Sequence, residues 1–344
     1  MSYFRSNIDS MTGYVPGEQP QTDGFIKLNT NENPYPPSPR VLEAIEKATT
    51  DRLRLYPDPI AQKFREAAGK VLGVSPDCIL ACNGSDDALT ILTRACVGEG
   101  ELMVAPDPSY GLYRILADIQ GCQFKSVRFN DSGRLPIDFT SGAKLAYITN
   151  PNSPTGTMVP PSHLLELAES APCLVVADEA YADFAENDAV PLIQKCERLV
   201  VTRTLSKSYS LAGLRFGFVV AQKQIIDTLM KVKDSYNCDM ISIAAATAAL
   251  EDQEYFEQAR KKVLVTRRRL EISLAELGFI VTPSHANFVW IQRATPLEPI
   301  YQSLKKDRIL IRYFRFRDNS EGLRISIGTD EEINHFLDAL RLLV

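Results

Sequence analysis

The chain is poor in the residues from which metal sites and disulfide frameworks are built. Of its 344 residues only three are histidines, at 163, 285 and 335, far apart in sequence, so no metal site is expected. The seven cysteines (78, 82, 96, 122, 173, 196 and 238) are an odd number and scattered. No pair has zinc-finger partners, so reduced core thiols and a cytoplasmic location are the expectation. No apolar stretch reaches the ~18 residues of a membrane span, and Met1-Ser2-Tyr3-Phe4-Arg5 has no apolar signal core. Basic residues do not dominate: 38 Lys and Arg against 43 Asp and Glu leave a net charge of −5, which argues against a nucleic-acid surface. The short runs Lys261-Lys262 and Arg267-Arg268-Arg269 sit at helical spacing and read as a solvated face. Apolar content of 45% and charged content of 24% are ordinary for a soluble globular protein. The length allows a large core and two domains.

The first 40 residues, rich in Pro, Asn and Gly, read as an extended arm. Helices are predicted over 40–48 and 60–72. The pattern then becomes α/β. Short apolar runs at 78–82, 102–105, 145–149, 174–177, 199–203 and 216–221 suit strands buried on both faces of a parallel or mixed central sheet flanked by helices. Asn83-Gly84-Ser85-Asp86-Asp87 turns into a helix through Val97. An Ala-rich helix over 240–251 and a long amphipathic one over 255–278 lead to an α+β tail with strands at 287–291 and 323–327 and a closing helix over 330–343. The expected division is an arm over 1–40, a large domain over 41–245 and a smaller α+β domain over 246–344.

The densest chemistry lies in Arg203-Thr204-Leu205-Ser206-Lys207-Ser208-Tyr209, followed by Ala212-Gly213-Leu214-Arg215-Phe216-Gly217. Lys207 stands just past the apolar strand Leu199-Val200-Val201, where a lysine can form a Schiff base with an aldehyde. Thr204, Ser206 and Arg215 around it can hold a phosphate. Those are parts of a pyridoxal 5′-phosphate pocket, and the other parts have candidates too. Asp178, at the end of Leu174-Val175-Val176-Ala177, can meet the pyridine nitrogen and keep it protonated, while Tyr181 can donate to the ring oxygen. Gly84-Ser85-Asp86 opens a helix after a strand, which is an anion site, so Ser85 and Asp86 join the phosphate contacts. Tyr110, in Pro108-Ser109-Tyr110, can stack on the ring.

In these motifs the chain resembles the fold-type I, class I/II aminotransferases, and within them the histidinol-phosphate aminotransferase branch. The resemblance also rests on Met11-Thr12-Gly13-Tyr14-Val15-Pro16-Gly17, on Leu28-Asn29-Thr30-Asn31-Glu32-Asn33-Pro34-Tyr35 and on Tyr56-Pro57-Asp58. Further along it rests on Asn150-Pro151-Asn152-Ser153-Pro154-Thr155-Gly156, Ser284-His285-Ala286-Asn287-Phe288 and Leu323-Arg324-Ile325-Ser326-Ile327-Gly328-Thr329. It implies further roles. Tyr56 matches a tyrosine that reaches across a dimer interface to the neighbour's cofactor phosphate, implying a homodimer with shared active sites. Arg324 matches the arginine that binds the substrate carboxylate, Arg312 one linked to phosphate recognition, and Tyr14 a substrate-facing arm residue. The implied reaction is transamination between L-histidinol phosphate and 2-oxoglutarate, giving imidazole-acetol phosphate and L-glutamate in histidine biosynthesis.

Two stretches depart from the pattern. The resembling enzymes carry Asn directly before Pro-Thr-Gly, bonded to the cofactor's ring oxygen; here Ser153 stands there, after Asn152. Arg315-Phe316-Arg317-Asp318 replaces an expected Gly- and Pro-rich turn, which bears on substrate access. An aromatic amino acid aminotransferase or a threonine-phosphate decarboxylase on the same scaffold are the alternatives. A non-catalytic cofactor-binding regulator is disfavoured by the intact Lys207 and Asp178.

Overall fold

The computed structural model describes residues 2–130, 133–316 and 318–344. In chain order its strands are β1 (Ile26–Lys27), β2 (Ile79–Cys82), β3 (Leu102–Asp107), β4 (Gln123–Arg128), β5 (Leu145–Thr149), β6 (Leu174–Asp178) and β7 (Leu199–Thr204). They continue with β8 (Gly217–Val220), β9 (Ile280–Thr282), β10 (Phe288–Gln292), β11 (Ile309–Leu310), β12 (Arg312–Arg315) and β13 (Glu321–Ser326).

Seven strands form the main sheet, in the order β2-β8-β7-β6-β5-β3-β4. Neighbours are parallel except at β8, which runs against both β2 and β7. The expected mostly parallel sheet is present, and its strands are apolar for the expected reason. Val104, Ile148, Val175 and Val201 pack into a core on one face. Met103, Tyr147, Val176 and Val200 pack into a core on the other. A strand covered on both sides buries most of its side chains, so it reads as a mostly apolar run, polar only towards the end that meets the pocket. The edge strand β4 lacks that cover. Of its Gln123-Phe124-Lys125-Ser126-Val127-Arg128 only Phe124 and Val127 are half-buried and the rest are exposed, which is why no apolar run announced it.

A second, antiparallel sheet has the order β12-β13-β10-β9. Helices Gln253–Glu276 and Asp330–Arg341 cover it through Val263, Leu270, Phe336 and Leu340, against Val289 and Ile325. The last helix starts with a capping box: Thr329 Oγ1 accepts from the Glu332 N–H, and the Glu332 carboxylate accepts from the Thr329 N–H. Of this sheet only the strands near 287–291 and 323–327 were anticipated. The N-terminal segment is tied to the same unit: β1 pairs in parallel with β11, Ile26 opposite Ile309, and Leu28 is buried in its core. The helix predicted over 60–72 begins two residues later, as Gln62–Leu72. The Asp58 carboxylate accepts from the N–H groups of Ile60 and Gln62, holding the preceding residues in a turn.

The parallel strands β3, β5, β6 and β7 all end on one side of the main sheet. The residues that follow or close them include Tyr110, Ser153, Asp178 and Lys207. This is where open α/β sheets place their ligands.

Candidate active site

A pocket of about 410 Å³ opens at those strand ends. Lys207, Asp178, Tyr181, Tyr110, Ser85, Asp86, Thr204, Ser206, Arg215, Ser153, Arg324, Arg312 and Tyr14 all line it. Tyr56 does not; it lies 78% exposed and stacks on Tyr236 with ring centroids 4.3 Å apart.

Lys207 projects from the loop after β7, and its Nζ donates to the Thr30 carbonyl at 2.9 Å. Burial pulls its pKa below the usual lysine value, and the Arg324 and Arg215 guanidiniums add to the effect against opposition from Tyr181 and Glu32. Asp178 closes β6 and is 2% exposed. Its carboxylate accepts from Tyr113 Oη at 2.6 Å and Thr202 Oγ1 at 2.9 Å. Burial raises its pKa to about 6, even though both hydrogen bonds oppose the shift.

On one flank, Gly84 precedes the helix Ser85–Cys96, whose first N–H groups have no intrahelical acceptor. Two glycines let this helix start approach β8. A Cβ on Gly217 would come within 2.6 Å of the Ser85 nitrogen, and one on Gly84 within 2.8 Å of Arg215 Nη2. Arg215 Nη1 donates to Ser206 Oγ at 3.2 Å, and the Ser206 N–H donates to Thr204 Oγ1. Asp86 turns its carboxylate to Tyr110 Oη and to Arg215. Its side chain is thus engaged beside the helix start rather than left free. Tyr110 forms a wall, edge-on to Tyr113 and Tyr14 at centroid distances of 5.7 and 5.9 Å.

On the other flank, Arg324 on β13 faces Arg312 on β12 in direct register. Like charges opposite each other on neighbouring strands oppose folding. Neither guanidinium has a carboxylate within ion-pair distance among the described residues. Arg324 donates to Ser153 Oγ and to the Asn29 carbonyl, both at 3.0 Å, and lies over the Phe288 and Phe314 rings. Its Nε is buried with no acceptor. Arg312 donates to the carbonyls of Val15 and Pro16 on the N-terminal arm.

Ser153 thus lines the pocket, whereas Asn152 turns away to the Pro108 carbonyl and Thr155 Oγ1. Arg315, Phe316 and Asp318 line an adjoining groove; Arg317 lies outside the described residues. Sequence reading missed Tyr113, Thr202, Thr30 and Phe314. Tyr113 and Thr202 sit among apolar neighbours on a helix and a strand, and only the register that sets Asp178 beside Thr202 reveals their task.

A lysine of lowered pKa, a buried carboxylate without a cation, a helix-end anion cradle and two unpaired arginines define a pocket for an anionic, carbonyl-bearing cofactor and an anionic substrate. The family described as aminotransferase class I and II matches residues 23–340, and the chain belongs to it. It is an aminotransferase of the fold-type I class. It is 54% identical over 336 residues to a histidinol-phosphate aminotransferase of Rhodopirellula baltica, covering 96% of this chain and 93% of that one. It is 44% identical over 344 residues to histidinol-phosphate aminotransferase 1 of Trichormus variabilis, covering 99% and 98%. Among solved structures it is similar to the histidinol-phosphate aminotransferase of Sinorhizobium meliloti in complex with pyridoxal-5′-phosphate. That match has a TM-score of 0.90 and 28% identity, and covers 100% of this chain and 99% of that one.

Proposed function

We propose that this chain transfers the amino group of L-histidinol phosphate to 2-oxoglutarate, using pyridoxal 5′-phosphate, and yields imidazole-acetol phosphate and L-glutamate. The observation that carries the substrate reading is the cross-strand pair Arg312 and Arg324, which lines the pocket and lacks carboxylate partners among the described residues. Both substrates are anions, and a planar guanidinium fork pairs with phosphate or carboxylate. The relatives named histidinol-phosphate aminotransferase, at 44–54% identity over nearly the whole chain, point the same way.

The pocket fits the cofactor. Asp178, held by Tyr113 and Thr202 and lacking a cation, suits a protonated pyridine nitrogen. The Ser85 and Asp86 N–H groups with Thr204, Ser206 and Arg215 suit the phosphate. Bound there, pyridoxal phosphate supplies the electron sink that makes the substrate's α-proton acidic. Asp178 keeps the proton on the ring nitrogen. Tyr181 offers its hydroxyl to the ring oxygen. Lys207, unprotonated more readily because it is buried, would take the proton from the substrate α-carbon and return it to the cofactor-derived carbon on the far side of the transferred nitrogen. Ser153, bonded to Arg324, holds the carboxylate-binding guanidinium rather than replacing an amide at the ring oxygen.

The proposed division assigns residues 41–245 to the cofactor and residues 246–344 to the substrate's anionic end, with the arm over 1–40 laid across Arg312. The assembly is a homodimer in which Tyr56 reaches the neighbour's phosphate. Its exposure beside Tyr236, with Leu53 and Leu55 also exposed, supports a covered role. The seven free thiols suit a reducing cytoplasm. Single-turnover absorbance traces with histidinol phosphate, phenylalanine and threonine phosphate test the substrate. Fastest conversion of histidinol phosphate is expected; preference for phenylalanine overturns the reading. Mixing Tyr56→Ala and Lys207→Ala proteins should restore activity if sites are shared, and a fully active monomer refutes sharing.

A further inference from the structure

The motifs around Asn31 and Asn287 mark the branch in sequence, yet neither residue has a part in the chemistry above. The fold brings them together in the interior, Asn31 1% and Asn287 0% exposed. Asn31 has a positive φ of 57°, a conformation Asn tolerates better than most side chains. Each of its polar groups has a partner. Its N–H donates to Ser326 Oγ at 2.8 Å, and the Ser326 hydroxyl donates to Asn31 Oδ1 at 2.9 Å. Its carbonyl accepts from Asn287 Nδ2 at 2.9 Å. Its Nδ2 donates to Tyr181 Oη at 3.0 Å. One residue earlier, the Thr30 carbonyl accepts from Lys207 Nζ.

The circuit has a direction. The Ser326 hydroxyl has one hydrogen and spends it on Asn31 Oδ1, so the amide edge that faces Tyr181 is the donor edge. A phenol that accepts from an amide cannot point its own hydrogen at that amide. The Tyr181 hydroxyl makes no other hydrogen bond among the described residues, and Tyr181 lines the pocket. Its hydrogen is therefore free to face the pocket.

We propose that Asn31, locked by Ser326 and Asn287, is a positioning residue that sets Tyr181 as a hydrogen-bond donor to the cofactor's ring oxygen, while the adjoining Thr30 carbonyl places the Lys207 amine. This rests on the proposed cofactor placement. A donor to the ring oxygen spreads its negative charge and loosens its hold on the proton shared with the nitrogen that Lys207 contributes. Losing the donor raises the pH at which that proton leaves.

The test is a pH titration of the absorbance of the protein loaded with pyridoxal phosphate. Asn31→Gly keeps the left-handed backbone and removes the amide. It is expected to raise the midpoint by about half a unit, threefold in proton affinity. Tyr181→Phe is expected to raise it further, and the double variant to match Tyr181→Phe alone. An unchanged midpoint in Asn31→Gly, or a shift that persists undiminished in the Tyr181→Phe background, overturns the proposal. A Tyr181→Phe midpoint equal to that of the unsubstituted protein instead rejects the cofactor placement itself, and the inference with it. Should Asn31→Gly not accumulate as folded protein, Ser326→Ala frees the amide to turn over and should shift the midpoint in the same direction through the same cycle.

Discussion

Arg203 and Arg324 are both largely enclosed, and they are satisfied in opposite ways. Arg203, on β7, meets Glu179 at 3.0 Å, Asp183 at 2.7 Å and Asp188 at 3.1 Å. Burial lowers its pKa, but the three carboxylates outweigh that and hold it above the usual arginine value. Asp183 also accepts from Ser208 Oγ, so the cluster braces the residue after Lys207. Arg324 has a serine, a backbone carbonyl and two aromatic faces, with Arg312 across the strand pair and no carboxylate. Burial pushes its pKa down. Arg203, neutralised from within the chain, braces the framework in our reading, and Arg324, left short of negative charge, suits an anion from outside.

The largest effect is expected where neither arginine acts. Lys207→Ala should slow a single turnover by about a thousandfold or more in stopped-flow traces, with no loss of stability, because a buried amine is removed. If stability fell as well, Lys207 would belong to the framework. Arg203→Met should sharpen the contrast from the other side. Stranding Glu179 and its neighbours costs about 3–5 kcal/mol, read by urea unfolding of the apoprotein, and Glu179→Gln in the same chain should recover part of it. A loss below about 1 kcal/mol would dissolve the distinction.

Asp178 resembles Arg324 with the sign reversed: a buried charge with no counter-charge among the described residues. An unfolded Asp titrates near ~4, and the folded carboxyl near about 6. Between these values the folded apoprotein holds the proton that the unfolded chain releases. Stability therefore falls as pH rises through this window, by about 3 kcal/mol in all, and the deficit stays constant above it. Asp178→Asn should make the apoprotein more stable at pH 7 by up to that amount. The gap should close below pH 4, and transamination should nevertheless be slowed. An apoprotein whose stability is flat from pH 4 to 7 would contradict this. Arg324→Ala has the smallest expected effect of the four, about a hundredfold in kcat/KM with glutamate and with histidinol phosphate. Urea unfolding should change by under about 1 kcal/mol, since no internal ion pair is broken. A large stability loss would place Arg324 with Arg203.

The sequence made the same distinction only partly legible. Arg203 stands in the Lys207 motif and Arg324 in its own, and nothing in the letters says which is neutralised. Glu179, beside Asp178, read as part of one motif, yet its side chain turns to Arg203 while Asp178 faces Thr202, because successive residues leave a chain in different directions. The buried strands were readable because solvent exclusion on two faces favours apolar side chains along most of their length. β4 and β12, at sheet edges, were not. Tyr113 carried no signal at all, since a tyrosine on a buried helix face looks the same whether or not its hydroxyl meets a carboxylate 65 positions away.

By itself the sequence indicated the α/β class and the strand-end residues of the pocket, since these follow from local order (a strand, a turn at its end, and a reactive residue in the turn), while its resemblance to a known family supplied Arg324, Arg312 and Tyr14; thirteen of the side chains so named meet in one pocket. Tertiary structure alone decided what those residues lack and what they already have. It left Arg324 Nε without an acceptor, gave Arg203 three carboxylates and closed the circuit from Ser326 through Asn31 to Tyr181. Charge balance and hydrogen-bond direction are sums over neighbours in space, and positions 31, 181 and 326 become neighbours only when the sheets pack.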